Sequence, residues 1–296
     1  MSPRQATIVP GAPRARLAWI TLLVAPLLAL LLAGCAGAPV TPGTPVAPAT
    51  SAAPDRGAIA QSPVVAAAER STTLAADRAA ILASSPYFDA KAIDLGRILP
   101  PPPADDSAIT RGEIEQMLKI QQERTPEEAE RARADASYSV LRFADALGNP
   151  EAFNATRLPK TILLFRRVTY EEGAVVQAGK RSFRRPRPFV LDARVQPILK
   201  EPTNASYPSG HALWSRVVGL LLADMLPEYR ERIMSRADEF AFHRVVAGVH
   251  YPSDVEAGKL AGTALAAFLL AEPAFQADYA AAKQELRAAL DLSAQP

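Results

Sequence analysis

The chain has 296 residues, with 33 lysines and arginines, 31 aspartates and glutamates, three histidines and a single cysteine. One cysteine excludes any disulfide within the chain, so an exported form would be held by its core alone. Residues 1–34 carry three arginines and no acid, which leaves 30 basic and 31 acidic residues in the remainder; this balance excludes a strongly nucleic-acid-seeking surface.

The N-terminus reads as an export signal. Arg4, Arg14 and Arg16 precede a nearly continuous apolar run over 17–32, and Leu32-Ala33-Gly34-Cys35 follows. This segment resembles the lipobox of bacterial lipoproteins, which implies cleavage after residue 34 and a lipid on the Cys35 thiol. An uncleaved membrane anchor over 17–36 is the alternative. Pro26 interrupts the run, and the cysteine stands at the cleavage position. Residues 35–56 are rich in alanine, proline and threonine and read as an extended tether. Residues 57–84 are alanine-rich and predict a peripheral helix.

A single domain is expected over 85–292. Pro100 to Pro103 forbid a helix and suggest a strap on the domain surface. From Ser107 the pattern is helical. It gives a charged stretch over 110–134, an apolar face on Tyr138, Leu141, Phe143, Ala144 and Leu147, and a helix over 159–178. The run 210–226 is apolar almost all round and predicts a buried helix. Further helices are expected over 228–248, over 253–271 with Ser253 and Glu256 as a capping box, and from Pro273 to about residue 292. No strand-like alternation is convincing. The fold class is all-α, a single compact helical bundle with its polar motifs at helix ends.

Three short stretches carry chemistry. In Pro208-Ser209-Gly210-His211, Ser209 suits an N-cap, Gly210 lets backbone amides approach a ligand, and a helix N-terminus favours an anion. Taken alone, the tetrapeptide reads equally as a plain helix cap with an incidental histidine. In Arg244-x5-His250-x3-Asp254, Pro252 breaks any helix between His250 and Asp254. A carboxylate accepting from one imidazole nitrogen would leave the other nucleophilic, and Arg244 suits phosphate oxygens. Between Lys180 and Arg187-Pro188 lie Arg181, Arg184 and Arg185, and that run taken alone also reads as a solvated basic loop. Together the three supply cations, a nucleophile and an acid, the parts that phosphoryl transfer needs.

These stretches resemble the signature of the PAP2 phosphatase superfamily, whose fold and site are shared with the vanadium haloperoxidases: K-x6-RP, PSGH and SR-x5-H-x3-D. Every position is met but one, since His243 stands where the family has serine. Ile98 to Ala104, Ala205-Ser206-Tyr207 and Glu272-Pro273-Ala274-Phe275 are similar to the class A bacterial nonspecific acid phosphatases. The likeness covers roughly residues 85–290 and is weak over 105–136.

The resemblance implies a metal-free, cofactor-free acid phosphatase of broad specificity acting on small phosphomonoesters. His250 would attack phosphorus and Asp254 would orient it. His211 would protonate the leaving alkoxide and then activate water. Lys180, Arg187, Arg244, Ser209 and Gly210 would bind phosphate. No nucleic acid is expected as partner, and membrane contact only through Cys35, with the protein facing the periplasm from the outer membrane; a homo-oligomer is left open. The competing readings are a lipid-phosphate phosphatase, a vanadium-dependent haloperoxidase, and a non-enzymatic envelope lipoprotein that binds anionic glycans through 180–187. The role of His243 is open between a third imidazole acting near the site and a ring that faces away.

Overall fold

A computed structural model describes residues 79, 81, 83–148 and 151–293, which belong to one compact unit, Ala60–Pro296. The expected signal over 1–34, the lipidation site Cys35, the tether over 35–56 and most of the helix over 57–84 lie outside the described residues.

Among the described residues every regular element is helical, as the all-α reading expects. The α-helices are α1 (Leu95–Ile98), α2 (Ala108–Glu123), α3 (Pro126–Ala134), α4 (Ala144–Leu147), α5 (Pro159–Phe183), α6 (Pro188–Leu191), α7 (Gly210–Met225), α8 (Arg230–Val246), α9 (Pro252–Ala271) and α10 (Pro273–Ala289). None of them is long and apolar enough to cross a membrane alone, although the sharply bent pair α9–α10 meets the length and composition criteria together.

The centre of the bundle is α7. Ala212, Leu213, Trp214, Val217, Val218, Leu221, Leu222 and Met225 have no solvent exposure, because α7 is flanked by α8 and α9 and crossed by α5. Each large apolar side chain buried this way contributes roughly 1.5–3 kcal/mol. The α7–α9 approach depends on missing side chains. A Cβ on Gly258 would lie 2.5 Å from the Ser209 carbonyl oxygen, and one on Gly262 would collide with Leu213 and Arg216. The two glycines therefore let α9 lie directly against the first turns of α7.

Several boundaries differ from the sequence expectation. The charged stretch over 110–134 is two helices. Thr125 caps α3 with Pro126 at its first position, and Thr125 and Glu128 exchange hydrogen bonds in a capping box, so the chain turns between α2 and α3. The segment 137–147 is a 3-10 turn, Val140–Phe143, followed by the single-turn α4, which ends at Gly148 with φ +70°. Phe143 and Leu147 are buried there, but Tyr138 is 41 % exposed and is no core residue.

Helix α5 runs to Phe183, further than the expected 178, so Lys180 lies in its last turn. Its N-terminus lacks a side-chain cap of its own; Glu285 of α10 accepts from the Lys160 and Thr161 amides at 3.0 and 2.8 Å instead. Helix α9 begins at Pro252 rather than 253, and the expected Ser253–Glu256 capping box does not form. Proline occupies the first helical position, Asp254 accepts from the Tyr251 amide, and Ser253 turns to Glu113. The proline strap is extended and lies on the domain, where Tyr207 Oη donates to the Pro100 carbonyl at 2.7 Å.

Candidate active site

The three motifs meet where the end of α5, the start of α7, the end of α8 and the start of α9 converge. Ser209 caps α7, and its amide donates to the Asp254 carbonyl at 3.0 Å, which ties the PSGH turn to the first turn of α9. The chain reaches His250 through Gly248, whose φ of +76° reverses its direction after α8. A Cβ there would press on Pro197 at 3.2 Å, besides being strained by that φ.

His250 is 2 % exposed. Its Nδ1 lies 3.1 Å from Asp254 Oδ2, and its Nε2 lies 3.0 Å from Arg187 Nη1. A guanidinium only donates. Nε2 therefore accepts in this arrangement, and the ring proton sits on Nδ1, shared with the carboxylate. Burial, Arg187, Lys180, Arg244 and His211 all hold the His250 pKa well below the ordinary histidine value, so the ring stays neutral.

Asp254 is fully buried and fully partnered. Besides His250, its Oδ2 accepts from Ser206 Oγ at 2.5 Å and from the Tyr251 amide at 3.0 Å, while Oδ1 accepts from Arg185 Nη1 at 2.8 Å. Burial pushes its pKa up, and Arg185 and the hydrogen bonds from Ser206 and Tyr251 oppose that shift.

The cations divide in a way that spacing alone did not show. Lys180, Arg185 and Arg187 are buried, whereas Arg181 and Arg184 are exposed, so the run is not a uniformly solvated loop. Lys180 Nζ donates to the carbonyls of Ala205 and Ser206 at 2.6 and 3.1 Å. Burial, with Arg187 beside it, brings the Lys180 pKa down to about 7. Arg187 is braced by Asn204, through the backbone oxygen at 3.0 Å and Oδ1 at 2.7 Å, and by the Val249 carbonyl at 2.7 Å.

Arg244 is 4 % exposed, yet its Nε and Nη1 have no hydrogen-bond partner in the structure. Burial lowers both arginine pKa values to about 10, and the neighbouring cation adds to this for Arg187. Both remain charged at neutral pH. A buried guanidinium with orphan donors, flanked by two further cations and a helix N-terminus, suits a tetrahedral oxyanion.

His211 stands in the first turn of α7. Its Nε2 lies 3.0 Å from the Ala136 carbonyl, and its ring packs at a tilt against Tyr138 with centroids 4.0 Å apart and stacks on Phe240 at 6.1 Å. A carbonyl only accepts, so Nε2 carries a proton and Nδ1 is the nitrogen left to exchange one. Burial and Arg244 depress its pKa well below the usual value, against the Ala136 hydrogen bond. A phosphate dianion among the cations would oppose that depression by offsetting Arg244, Lys180 and Arg187, the part of it that does not come from burial.

The sequence missed a second tier. Arg185 bridges Asp254 and Glu113, with its guanidinium 3.8 Å over the Tyr251 ring. Ser206 donates to Asp254, Asn204 accepts from Arg187, and Glu113 accepts from the Ser253 amide. His243 is neither a third imidazole at the phosphate cations nor a surface ring; it is 5 % exposed and bonded through Nδ1 to Asp135 at 2.6 Å. Among the described residues no group of three or more His, Cys, Asp and Glu side chains is arranged to hold a metal ion.

The PAP2 superfamily profile matches residues 164–275, which include all three motifs. The chain is 32 % identical over 197 residues to the non-specific acid phosphatase of Salmonella typhimurium, covering 64 % of this chain and 78 % of that protein. It is 29 % identical over 204 residues to the non-specific acid phosphatase of Providencia stuartii, covering 67 % and 82 %. Among solved structures it is similar to a bacterial vanadium-dependent iodoperoxidase, with a TM-score of 0.42 and 21 % identity over 59 % of this chain and 52 % of that one. It is also similar to a transmembrane PAP2-type phosphatidylglycerolphosphate phosphatase from Bacillus subtilis, with a TM-score of 0.41 and 22 % identity over 55 % and 85 %. On its profile match and its alignment along most of the Salmonella protein, the chain belongs to the PAP2 superfamily, as an acid phosphatase.

Proposed function

We propose that the enzyme hydrolyses small phosphate monoesters through a phosphohistidine on His250. Lys180, Arg187, Arg244, Ser209 and the Gly210 amide would clasp the phosphoryl oxygens. Arg187 would shift its Nη1 donor from His250 to phosphate and so free the Nε2 lone pair. Nε2 would then attack phosphorus as the bond to the leaving oxygen breaks, and His211 would give that oxygen its Nδ1 proton. Neutral His211 would next take a proton from water. The resulting hydroxide would attack phosphorus and break the P–N bond, which releases phosphate and restores His250.

The observation that carries this reading is the fixed tautomer of His250, with Nδ1 on Asp254 and Nε2 opposite a donor-only group. Three buried cations supply the charge that a metal would otherwise bring, so activity is expected to survive chelators. The likeness to non-specific acid phosphatases favours broad specificity. The segment ending in Cys35 favours export, a lipid anchor at that residue, and a periplasmic face on the outer membrane.

Rapid quenching with substrate labelled at phosphorus tests the mechanism. An acid-labile, base-stable label on His250, absent from His250→Ala, is expected; full turnover by His250→Ala would overturn it. Excess EDTA should leave the rate unchanged, and inactivation would refute the metal-free site. Fatty-acid labelling that disappears in Cys35→Ala is expected of the anchor, and no labelling of the intact chain would refute it.

A further inference from the structure

His243 breaks the family signature, and its contacts show what it could do. Asp135 closes α3 with no exposure of its own. Its Oδ2 meets His243 Nδ1 at 2.6 Å, and its Oδ1 accepts from Arg236 Nη2 at 2.6 Å and from Arg142 Nε at 2.9 Å. Arg236 Nε also donates to the Arg142 carbonyl at 3.0 Å. The other His243 nitrogen faces Glu239 Oε1 at 3.8 Å. Burial would raise the Asp135 carboxyl, but the hydrogen bonds from His243, Arg236 and Arg142 hold it well below the usual carboxylate range. The cluster thus clamps the chain at residues 135 and 142 against α8.

The clamped segment is what His211 leans on. The next residue, Ala136, offers the carbonyl that accepts from His211 Nε2, and Tyr138, two residues further, packs against the ring. Those contacts fix which nitrogen keeps its proton and where Nδ1 points. We propose that His243 and Asp135 are positioning residues for the leaving-group proton: by clamping the 135–138 segment they hold His211 with Nδ1 toward the departing oxygen. The inference rests on the reading of His211 as the acid.

Leaving-group dependence tests it, because a poor leaving group needs the proton and a very good one does not. His243→Ala should lower kcat/KM for an alkyl ester such as glycerol 2-phosphate by about 10²-fold, the usual penalty for a misplaced catalytic group. For 2,4-dinitrophenyl phosphate kcat/KM should change by no more than about twofold, since that phenolate departs without an acid and the ratio does not report the later hydrolysis of the phosphoenzyme. His243→Asn, which keeps a donor toward Asp135, should recover most of the alkyl rate, and Asp135→Asn should repeat the selective loss. His211→Ala is the reference and should show the same selectivity more strongly. If His211→Ala is selective while folded His243→Ala and His243→Asn slow both esters equally, or slow neither, the inference is overturned. If His211→Ala shows no selectivity, the assignment of the acid itself falls, and the inference with it.

Discussion

Arg187 Nη1 and His250 Nε2 lie 3.0 Å apart, so a buried guanidinium caps the very lone pair that would attack in the proposed reaction. In that reaction substrate would draw Arg187 away before His250 reacts, which would couple binding to activation of the nucleophile. Arg187→Ala is expected to lower kcat/KM by about 10²–10³-fold, the loss typical of a removed oxyanion donor. Arg187 is also the nearest of the cations that depress the His250 pKa. Its removal should therefore raise that pKa and move the acid limb of the kcat/KM profile to higher pH. A limb that stays in place would show that Arg187 does not govern His250.

Lys180 sets the alkaline side. With its pKa near 7, its charge fades as pH rises through neutrality. For a monoester already dianionic, KM should rise about tenfold per pH unit above that value. Lys180→Met should have a high KM that no longer climbs. A flat KM between about pH 6.5 and 8.5 in the unsubstituted enzyme would mean that Lys180 keeps its proton.

Arg185 is a brace whose loss should show in stability before chemistry. It is 2 % exposed and paired with both Asp254 and Glu113. Arg185→Ala leaves two buried carboxylates with their other hydrogen bonds but without their cation, which is expected to cost about 3–5 kcal/mol. The midpoint in urea should fall accordingly, and Arg185→Lys should recover only part, because one ammonium cannot fork between two carboxylates.

Glu172 should impose a pH-dependent penalty on the fold. It is 3 % exposed on α5, its Oε2 has no partner, and burial raises its pKa well above 4.5. The native state thus binds a proton that the unfolded chain has released. Its contribution is least unfavourable below pH 4.5, and stability falls as pH climbs through the raised value. Glu172→Gln should increase Tm more at pH 8 than at pH 5. An equal increase at both would mean that the carboxyl is not being titrated on unfolding.

The residues that meet at the candidate site were legible because each lies in a stretch whose local geometry is self-contained. His250 and Asp254 flank a proline, and His211 follows a cap and a glycine. The supporting tier was not. Arg185 meets Glu113 across 72 positions, and His243 meets Asp135 across 108, so no spacing announces either pair. Of five cations in one run, the helical register of α5 and the turn after it decide which go inward. The misplaced helix ends have local causes that could have been seen. Thr125-Pro126 with Glu128 is a full start signal inside an apparently continuous helix, and Pro252 at the first position of α9 displaces the Ser253 cap.

Gly258 and Gly262 hold the α7 and α9 backbones almost in touch, and the PSGH turn and Asp254 ride on those two backbones. The span between the PSGH turn and Asp254 is thus set by main chain meeting main chain, with no side chain in between to repack. One added methyl at either glycine would pry the two backbones apart, and with them the turn that carries His211 and the carboxylate on His250.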